Sequence, residues 1–315
     1  MIDFRYHLIS LIAVFLALGL GILMGSVVLD EQLVNRLNDR VNGLSTSLDE
    51  RRAEVEDLRT TMDTFQDYAQ ATQAQLISGE LAGDQIVAIT FEGTDGSVVD
   101  AISDSIDTAG GTVVSRLTLT DRFALRDQAE RDQLALILRS TSGTAAELRD
   151  EAGTDLGLRA AAAASQRDLP RGSFSPDERL EGLIDELQEA GFLGLSRTTP
   201  NQTVPPGASF VIVGGGADPL PWKATSLAVA LGNSIADLGV TVTAAEPSNS
   251  VWQFVDAFRS DGKASAQVST VDHADTVPGR VALVLALKAA LNGQTGHYGA
   301  DSGASSVLPE PSPSG

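Results

Sequence analysis

The sequence has no cysteine among its 315 residues, and only three histidines and three methionines. The absence of cysteine excludes disulfides, a thiolate nucleophile and a metal site built on thiolates. Soft metal ions are usually held by cysteine, methionine and histidine, so the chain offers few ligands of that type. A chain without cysteine is also compatible with an oxidising space in the cell envelope.

Basic residues are scarce as well. The sequence has 22 lysines and arginines against 42 acidic residues, a formal net charge of −20. Such a chain repels phosphate backbones, so we do not expect nucleic acid as a partner. Its length is sufficient for one large domain or two small ones.

Charge is absent over one long stretch, the 22 residues Leu8–Leu29. A bilayer core of ~30 Å needs about 20 apolar helical residues. A buried core helix is rarely apolar on every face, and a cleavable signal has a shorter apolar region and a small-residue cleavage site. The run ends instead in GSVVL. We therefore predict a permanent transmembrane anchor over residues 1–30.

Small residues recur every four positions within this stretch, which places them on one helical face. They are Ala13, Ala17, Gly21 and Gly25. Such a ladder lets two membrane helices approach closely, so we predict that Ala17, Gly21 and Gly25 contribute to dimerisation. The alternative is that glycine and alanine are simply common in membrane helices. The lysine and arginine count on the two sides of the span does not determine its orientation.

A seven-residue repeat follows the anchor. With Val34 at position a, every a position up to Leu76 is apolar, and only Arg51 and Thr72 interrupt the d positions. No proline occurs in residues 1–169. We predict a coiled-coil stalk over residues 31–79, about 63 Å long from Val34 to Leu76, and a parallel homodimer. The predicted contact residues are Val34, Leu37, Val41, Leu44, Leu48, Val55, Leu58, Met62 and Phe65. The alternative is one long helix packed on its own globular domain.

Beyond the stalk, short β-rich segments alternate with helical ones over residues 80–298. We predict strands at 85–90, 112–117, 209–213, 240–245 and 266–271, and helices at 97–108, 126–140, 144–165, 176–190, 223–238, 251–259 and 280–291. This alternation indicates an α/β domain of three layers, Rossmann-like or flavodoxin-like, with a mostly parallel sheet. Ser175-Pro176-Asp177-Glu178 reads as a capping box. We expect the tail, residues 299–315, to be disordered.

Three loops follow predicted strands and are candidates for ligand binding, because ligands of open α/β sheets lie beyond the carboxyl ends of strands. They are residues 91–96, 214–218 and 272–275. Gly214, Gly215 and Gly216 could cradle a phosphate, but neither nucleotide fingerprint is met, and a tight turn is the competing interpretation. Asp272, His273 and Asp275 could ligate a metal, or they could form a solvated turn.

Catalytic patterns are missing from the sequence. It contains neither G-x-S-x-G nor H-E-x-x-H, and no other catalytic set is apparent. We therefore expect a domain that binds rather than reacts, with no cofactor.

Three parts of the sequence together resemble the actinobacterial MctB family, labelled copper transport outer-membrane protein. They are the opening MIDFRYHLISLIAVFLALGLGILMGSVVLDEQL, the heptads, and TVDHADTVPGRVALVLALKAALNGQTGHYG. The FRYH before the span is the specific part. The resemblance implies an envelope protein that limits intracellular copper, and it makes copper a possible ligand. It also implies a role in cell separation with a SteA-like membrane partner. It supplies no ligand residues.

These observations lead to one main hypothesis and two alternatives. The main hypothesis is a single-pass envelope protein, in which a dimeric stalk presents a non-enzymatic, extracytoplasmic domain to a partner protein. The first alternative is a direct component of copper efflux. One helix cannot enclose a channel, which makes transport by this chain alone hard to derive. The second alternative is a nucleotide-binding regulator that uses the glycine loop.

Overall fold

The structure is a computed structural model that describes residues 4–167, 176–200, 202–220 and 222–310, without the side chains of residues 26–33 and 176. Ser175 of the predicted capping box lies outside the described residues. The chain divides into two compact units, Met1–Asp67 and Tyr68–Gly315.

A single helix, α1 (Phe4–Ile77), runs without a break for 74 residues. Its first part, Phe4–Gly25, is long and apolar enough to cross a membrane, with a mean hydropathy of 2.6 and none of its residues buried. The absence of proline permits this continuity, because proline would remove a backbone hydrogen bond and clash with the preceding turn. The predicted N-terminal apolar helix is confirmed, whereas the coiled coil stays a prediction.

The second unit is built on a seven-stranded sheet with the order β3-β2-β1-β4-β5-β6-β7. The strands are β1 (Gln85–Phe91), β2 (Thr112–Leu119), β3 (Leu193–Arg197), β4 (Ser209–Val213), β5 (Val242–Ala245), β6 (Ser269–Val271) and β7 (His297–Tyr298). Only β3 is antiparallel to its neighbour among these strands. The mostly parallel sheet is confirmed. The narrower assignment to a Rossmann-like or flavodoxin-like fold stays a prediction.

Helices cover both faces of the sheet. They are α2 (Gly96–Thr108), α3 (Gln128–Leu138), α4 (Ala145–Ser165), α5 (Pro176–Glu189), α6 (Ala224–Asp237), α7 (Phe254–Ser260), α8 (Ala264–Gln267) and α9 (Val277–Leu291). Alternate residues of β1 enter two separate cores, because successive side chains of a strand point to opposite faces. Val87 and Ile89 pack with α4, α5 and α6, whereas Ile86 and Ala88 pack with α2 and α9.

Helices α4 and α6 pack through two glycines four residues apart, a contact that the sequence analysis did not anticipate. A Cβ on Gly153 would collide with the carbonyl oxygen of Leu227, and one on Gly157 would lie 2.6 Å from the carbonyl oxygen of Leu231. The two helix backbones therefore approach as closely as only glycine permits.

The last turns of α1 belong to the second unit and pack against α2. Gln73 and Ile77 are buried, and the Gln73 side-chain amide donates to Ser105 Oγ at 2.9 Å. Because both polar groups are buried and paired, this hydrogen bond fixes the end of α1 on the domain.

Several local features differ from the sequence predictions. Strands β3 and β7 were not predicted, and the strand expected at 266–271 begins only at Ser269, after the short helix α8. The expected disorder from Gly299 onward also differs from the structure over residues 299–310. The Gly299 amide donates to Ser306 O at 3.0 Å, and the Ser305 amide donates to His297 O at 2.8 Å. These bonds extend the edge of the sheet beyond β7. Residues 311–315 lie outside the described part.

Candidate functional site

A ligand site is expected at the carboxyl edge of the sheet. The chain moves from β1 to β2 in one direction and from β4 to β5 in the other, so the switch point lies between β1 and β4. Ligands of open α/β sheets bind in the crevice at such a point. Two of the predicted loops, residues 91–96 and 214–218, follow these two strands.

Packing explains the three glycines that follow β4. A Cβ on Gly214 would overlap the ring of Phe254, and one on Gly216 would lie 2.7 Å from the carbonyl oxygen of Gly93. Gly215 has a φ of +129°, which side chains other than glycine rarely adopt. This geometry favours the tight-turn interpretation over a phosphate cradle.

Aromatic rings pack at the same end of the sheet. Phe91 lies 5.4 Å from Phe254 and 6.2 Å from Trp222 between ring centroids. Trp252 closes the β4 loop, because its indole N–H donates to Asp218 O at 2.7 Å. A pocket of about 180 Å³ remains beside Trp222 and Trp252. The switch point is thus largely filled by the protein's own side chains.

Asp272, a predicted metal ligand, is the centre of a buried polar network. Its Oδ2 accepts from Arg259 Nη2 at 2.9 Å, and its Oδ1 accepts from the amide of Ala300 at 2.7 Å and contacts His273 Nδ1 at 2.8 Å. Burial alone would raise the pKa of Asp272, but the Ala300 amide, Arg259 and His273 together hold that pKa below its usual value. The carboxylate is therefore already engaged by donors.

The structure brings together only part of the predicted metal set. Asp272 and His273 are neighbours, and Asp301 joins them with ligand atoms within 4.8 Å of one another. Asp275 bonds elsewhere, because its carboxylate accepts from the amide and hydroxyl of Ser248 at 2.6 and 2.7 Å. Sequence reasoning did not include Asp301, which lies 28 residues after His273 in the chain.

Arg259 was also missed, although it connects this network to the edge of the sheet. It donates to Thr270 Oγ1 at 3.0 Å and to the carbonyl oxygen of Tyr298 at 3.0 Å. His297 contacts the same Thr270 hydroxyl at 2.9 Å. Burial lowers the pKa of His297, and the charge of Arg259 lowers it further. The cluster therefore fastens β7 and the segment after it to β6.

Helix α1 presents a different type of site, an apolar surface that the described residues leave uncovered. The predicted contact residues are all largely exposed, from 45% for Val55 to 65% for Leu44. The other exposed members are Val34, Leu37, Val41, Leu48, Leu58, Met62 and Phe65. We call this row the seam.

The last residue of the small-residue ladder lies on the side of the helix opposite the start of the seam. Gly25 precedes Val34 by nine residues, which is about two and a half helical turns, so the two residues lie on opposite sides of α1. A seven-residue repeat suits a left-handed pair, whereas a four-residue ladder suits a right-handed one. A single straight helix pair cannot use both along their whole length.

Comparisons with known proteins agree with the resemblance seen in the sequence. Residues 1–309 match the family described as "Copper transport outer membrane protein, MctB". The chain is 28% identical over 316 residues to the copper transporter MctB of Mycobacterium tuberculosis (strain ATCC 25618 / H37Rv), covering 98% of this chain and 99% of the relative. It is 27% identical over 319 residues to the copper transporter MctB of Mycobacterium leprae (strain TN), with the same coverage.

The family description and the apolar first part of α1 both fit a protein associated with the cell envelope. On the strength of a match over nearly its whole length, the chain belongs to the MctB family of copper transport proteins.

Proposed function

We propose that the chain is a non-enzymatic scaffold of the cell envelope. Residues Phe4–Gly25 anchor it in a membrane, the seam of α1 pairs two copies, and the α/β domain binds a partner protein. The observation that carries this proposal is the exposure of the seam, because monomeric soluble proteins rarely leave a long apolar row uncovered.

A second copy is the simplest cover for the seam. Sustained apolar a and d positions are typical of helices that pair with helices. Two anchors in one bilayer also hold two copies parallel and raise their effective concentration. Dimerisation through the seam therefore follows from the same helix that provides the anchor.

Substitution within the seam tests the dimer. The full chain carrying two different tags is extracted in mild detergent, and co-purification of the tags is measured. Leu58→Asp places a charge in the seam and should abolish co-purification. Thr60→Asp introduces the same charge at an outward position and should leave co-purification intact. Equal behaviour of the two variants would overturn the dimer.

The partner is, on our proposal, a SteA-like membrane protein, and the shared function is cell separation. The ladder supports a second membrane contact, because Gly25 faces away from the seam. The filled switch point supports a domain that binds through its surface. Pull-down from membranes followed by mass spectrometry should recover this partner with the wild-type chain. Recovery should fall when the α/β domain is deleted, and unchanged recovery would contradict partner binding by that domain.

The α/β domain lies outside the cytoplasm in this proposal. Leu136 is 79% exposed on that domain, and the chain has no native cysteine. A single Leu136→Cys should react with a membrane-impermeant maleimide on intact cells as fully as in lysed cells. Labelling only after lysis would place the domain in the cytoplasm.

Direct handling of copper is the second candidate, and the family description favours it. His273 and Asp301 are the accessible members of the one cluster of possible metal ligands found among the described residues. Calorimetric titration of the purified chain with copper tests this directly. Binding that His273→Gln abolishes would support copper handling at this cluster, whereas absence of binding would make any copper phenotype indirect.

A further inference from the structure

We propose that two copies of α1 pair in parallel and in register, with Glu54 of each copy bonded to Arg59 of the other. This inference rests on the proposed parallel dimer and adds its register and the charges that select a second copy of this chain.

The heptad repeat assigns these charged residues to the two edges of the seam. With Val34 at position a, Arg52 and Arg59 occupy e positions and Glu54 occupies a g position. In a parallel pair, a g residue faces the e residue five positions later on the other helix. Glu54 of one copy then faces Arg59 of the second copy, and two-fold symmetry makes the contact twice.

The contacts within a single helix leave both side chains available. Glu54 Oε2 lies 2.7 Å from Arg51 Nη1, and the side chains of Glu54 and Arg51 are each more than half exposed. Arg59 is only loosely paired, with its Nη1 3.9 Å from Glu56 Oε2. A carboxylate accepts several hydrogen bonds, so Glu54 can hold Arg51 and Arg59 of the second copy together.

This arrangement also accounts for Arg51, the charged residue in the seam. At a d position its side chain lies beside the dimer axis, where an unpaired charge destabilises the pair. Glu54 neutralises Arg51 from within the same helix. The two copies of Arg51 are therefore each accompanied by a carboxylate when the seam closes.

An antiparallel pair would bring like charges together. In that orientation e positions face e positions and g positions face g positions. In the antiparallel registers with the longest overlap of the two seams, Arg52 would face Arg52 or Arg59 of the second copy, and Glu54 would face Glu54 or Thr61. Glu54 would meet Arg40, the other charged g residue, only after a shift of two heptads that shortens the overlap. Like charges across an interface disfavour association. The charges therefore favour the parallel orientation, in which unlike charges meet.

Charge reversal separates this pairing from dimerisation in general. Full-length Glu54→Arg and Arg59→Glu are expressed together with different tags, and the mixed and unmixed dimers are quantified after extraction. Each variant alone juxtaposes like charges, whereas the mixed dimer restores two unlike pairs. We expect the exchange ratio, the square of the mixed-dimer concentration divided by the product of the two unmixed-dimer concentrations, to exceed its statistical value by on the order of tenfold.

A matched control removes the effect of net charge. Asp57→Arg and Arg36→Glu carry the same charge changes at c positions, which face outward, and should mix statistically. Mixing of the Glu54 and Arg59 variants no stronger than this control would overturn the ion pair while leaving the dimer in place. A wild-type chain that forms no dimer would overturn the proposed function itself.

Discussion

The two units treat the same residue types in opposite ways. Phe210, Leu231 and Ile235 of the second unit are completely buried, whereas Leu44 and Phe65 of the first unit are 65% and 58% exposed. The second unit covers its apolar side chains with its own helices. The first unit is one helix with nothing of its own to cover them, so burial of these side chains requires contact with another molecule.

Charged pairs show the same contrast. The Arg259–Asp272 pair has side chains only 7% and 2% exposed, whereas those of Arg51 and Glu54 are 74% and 57% exposed. Breaking a buried pair leaves an uncompensated charge, but an exposed pair contributes little to folding. We therefore assign the buried pair to the stability of the domain, and we propose that Glu54 of the exposed pair acts in recognition between copies.

The largest expected effect comes from breaking the buried pair. Asp272→Asn leaves the Arg259 guanidinium without its carboxylate, and should lower the free energy of unfolding of the domain by about 3–5 kcal/mol. Both tryptophans lie in the second unit, so their fluorescence during urea unfolding of the full chain reports this change. Glu54→Gln, its counterpart on α1, should leave that transition unchanged. An equal change in the free energy of unfolding of the domain in Asp272→Asn and Glu54→Gln would contradict the different roles of the two pairs.

Replacement of a leucine by alanine should have the next largest effect, and the effect should differ between the two units. Leu231→Ala removes a fully buried side chain of α6 and should destabilise the domain by about 2–5 kcal/mol. Leu44→Ala removes an exposed side chain of the seam, so it should weaken association between copies and leave tryptophan-detected unfolding unchanged. A shift of the domain transition by Leu44→Ala would show that the seam is covered by the domain.

Replacement of two glycines by alanine should change the stability of the domain in opposite directions. Gly153→Ala places a methyl group against the Leu227 carbonyl and should destabilise by about 1–3 kcal/mol. Gly182→Ala in α5 meets nothing within 4 Å and should stabilise by about 0.5–1 kcal/mol, because alanine is the better helix former. Thermal unfolding of both variants measures the difference. A neutral Gly153→Ala would contradict the close approach of α4 and α6.

The smallest effect concerns pH. The pKa of His297 is lowered in the folded state by burial and by Arg259, so its stability contribution is present above its unfolded value of about 6.5 and is lost as pH falls below it. The melting temperature should therefore decrease from pH 7 to pH 5 more in the wild type than in His297→Gln. Identical pH dependence in the two proteins would refute this role.

Sequence patterns predicted the features that depend on neighbouring residues. The helix expected at Thr144 begins there because Thr144 accepts from the amide of Glu147, three residues later. The long helix and its seam are likewise readable from local periodicity and the absence of proline. Elements of this kind need no knowledge of distant contacts.

Features that depend on distant residues could not be predicted. Strand β3 is five residues long and contains Gly194, and it exists because it pairs with the free edge of β2. Arg259 reaches Asp272 across 13 residues and two elements. Asp301, and not Asp275, lies beside His273 because the backbone amides of Ala300 and Asp301 donate to the Asp272 carboxylate just after β6. The spacing of neighbouring residues in the sequence does not indicate these distant contacts.

The central claim, that the seam joins two copies in register, is tested most directly by oxidative crosslinking in native membranes. The chain has no cysteine of its own, so Leu44→Cys introduces a single thiol at a d position and Thr46→Cys a single thiol at an outward position. The account predicts a disulfide-linked dimer for Leu44→Cys and little for Thr46→Cys. Equal crosslinking at the two positions, or none at Leu44→Cys, would contradict it.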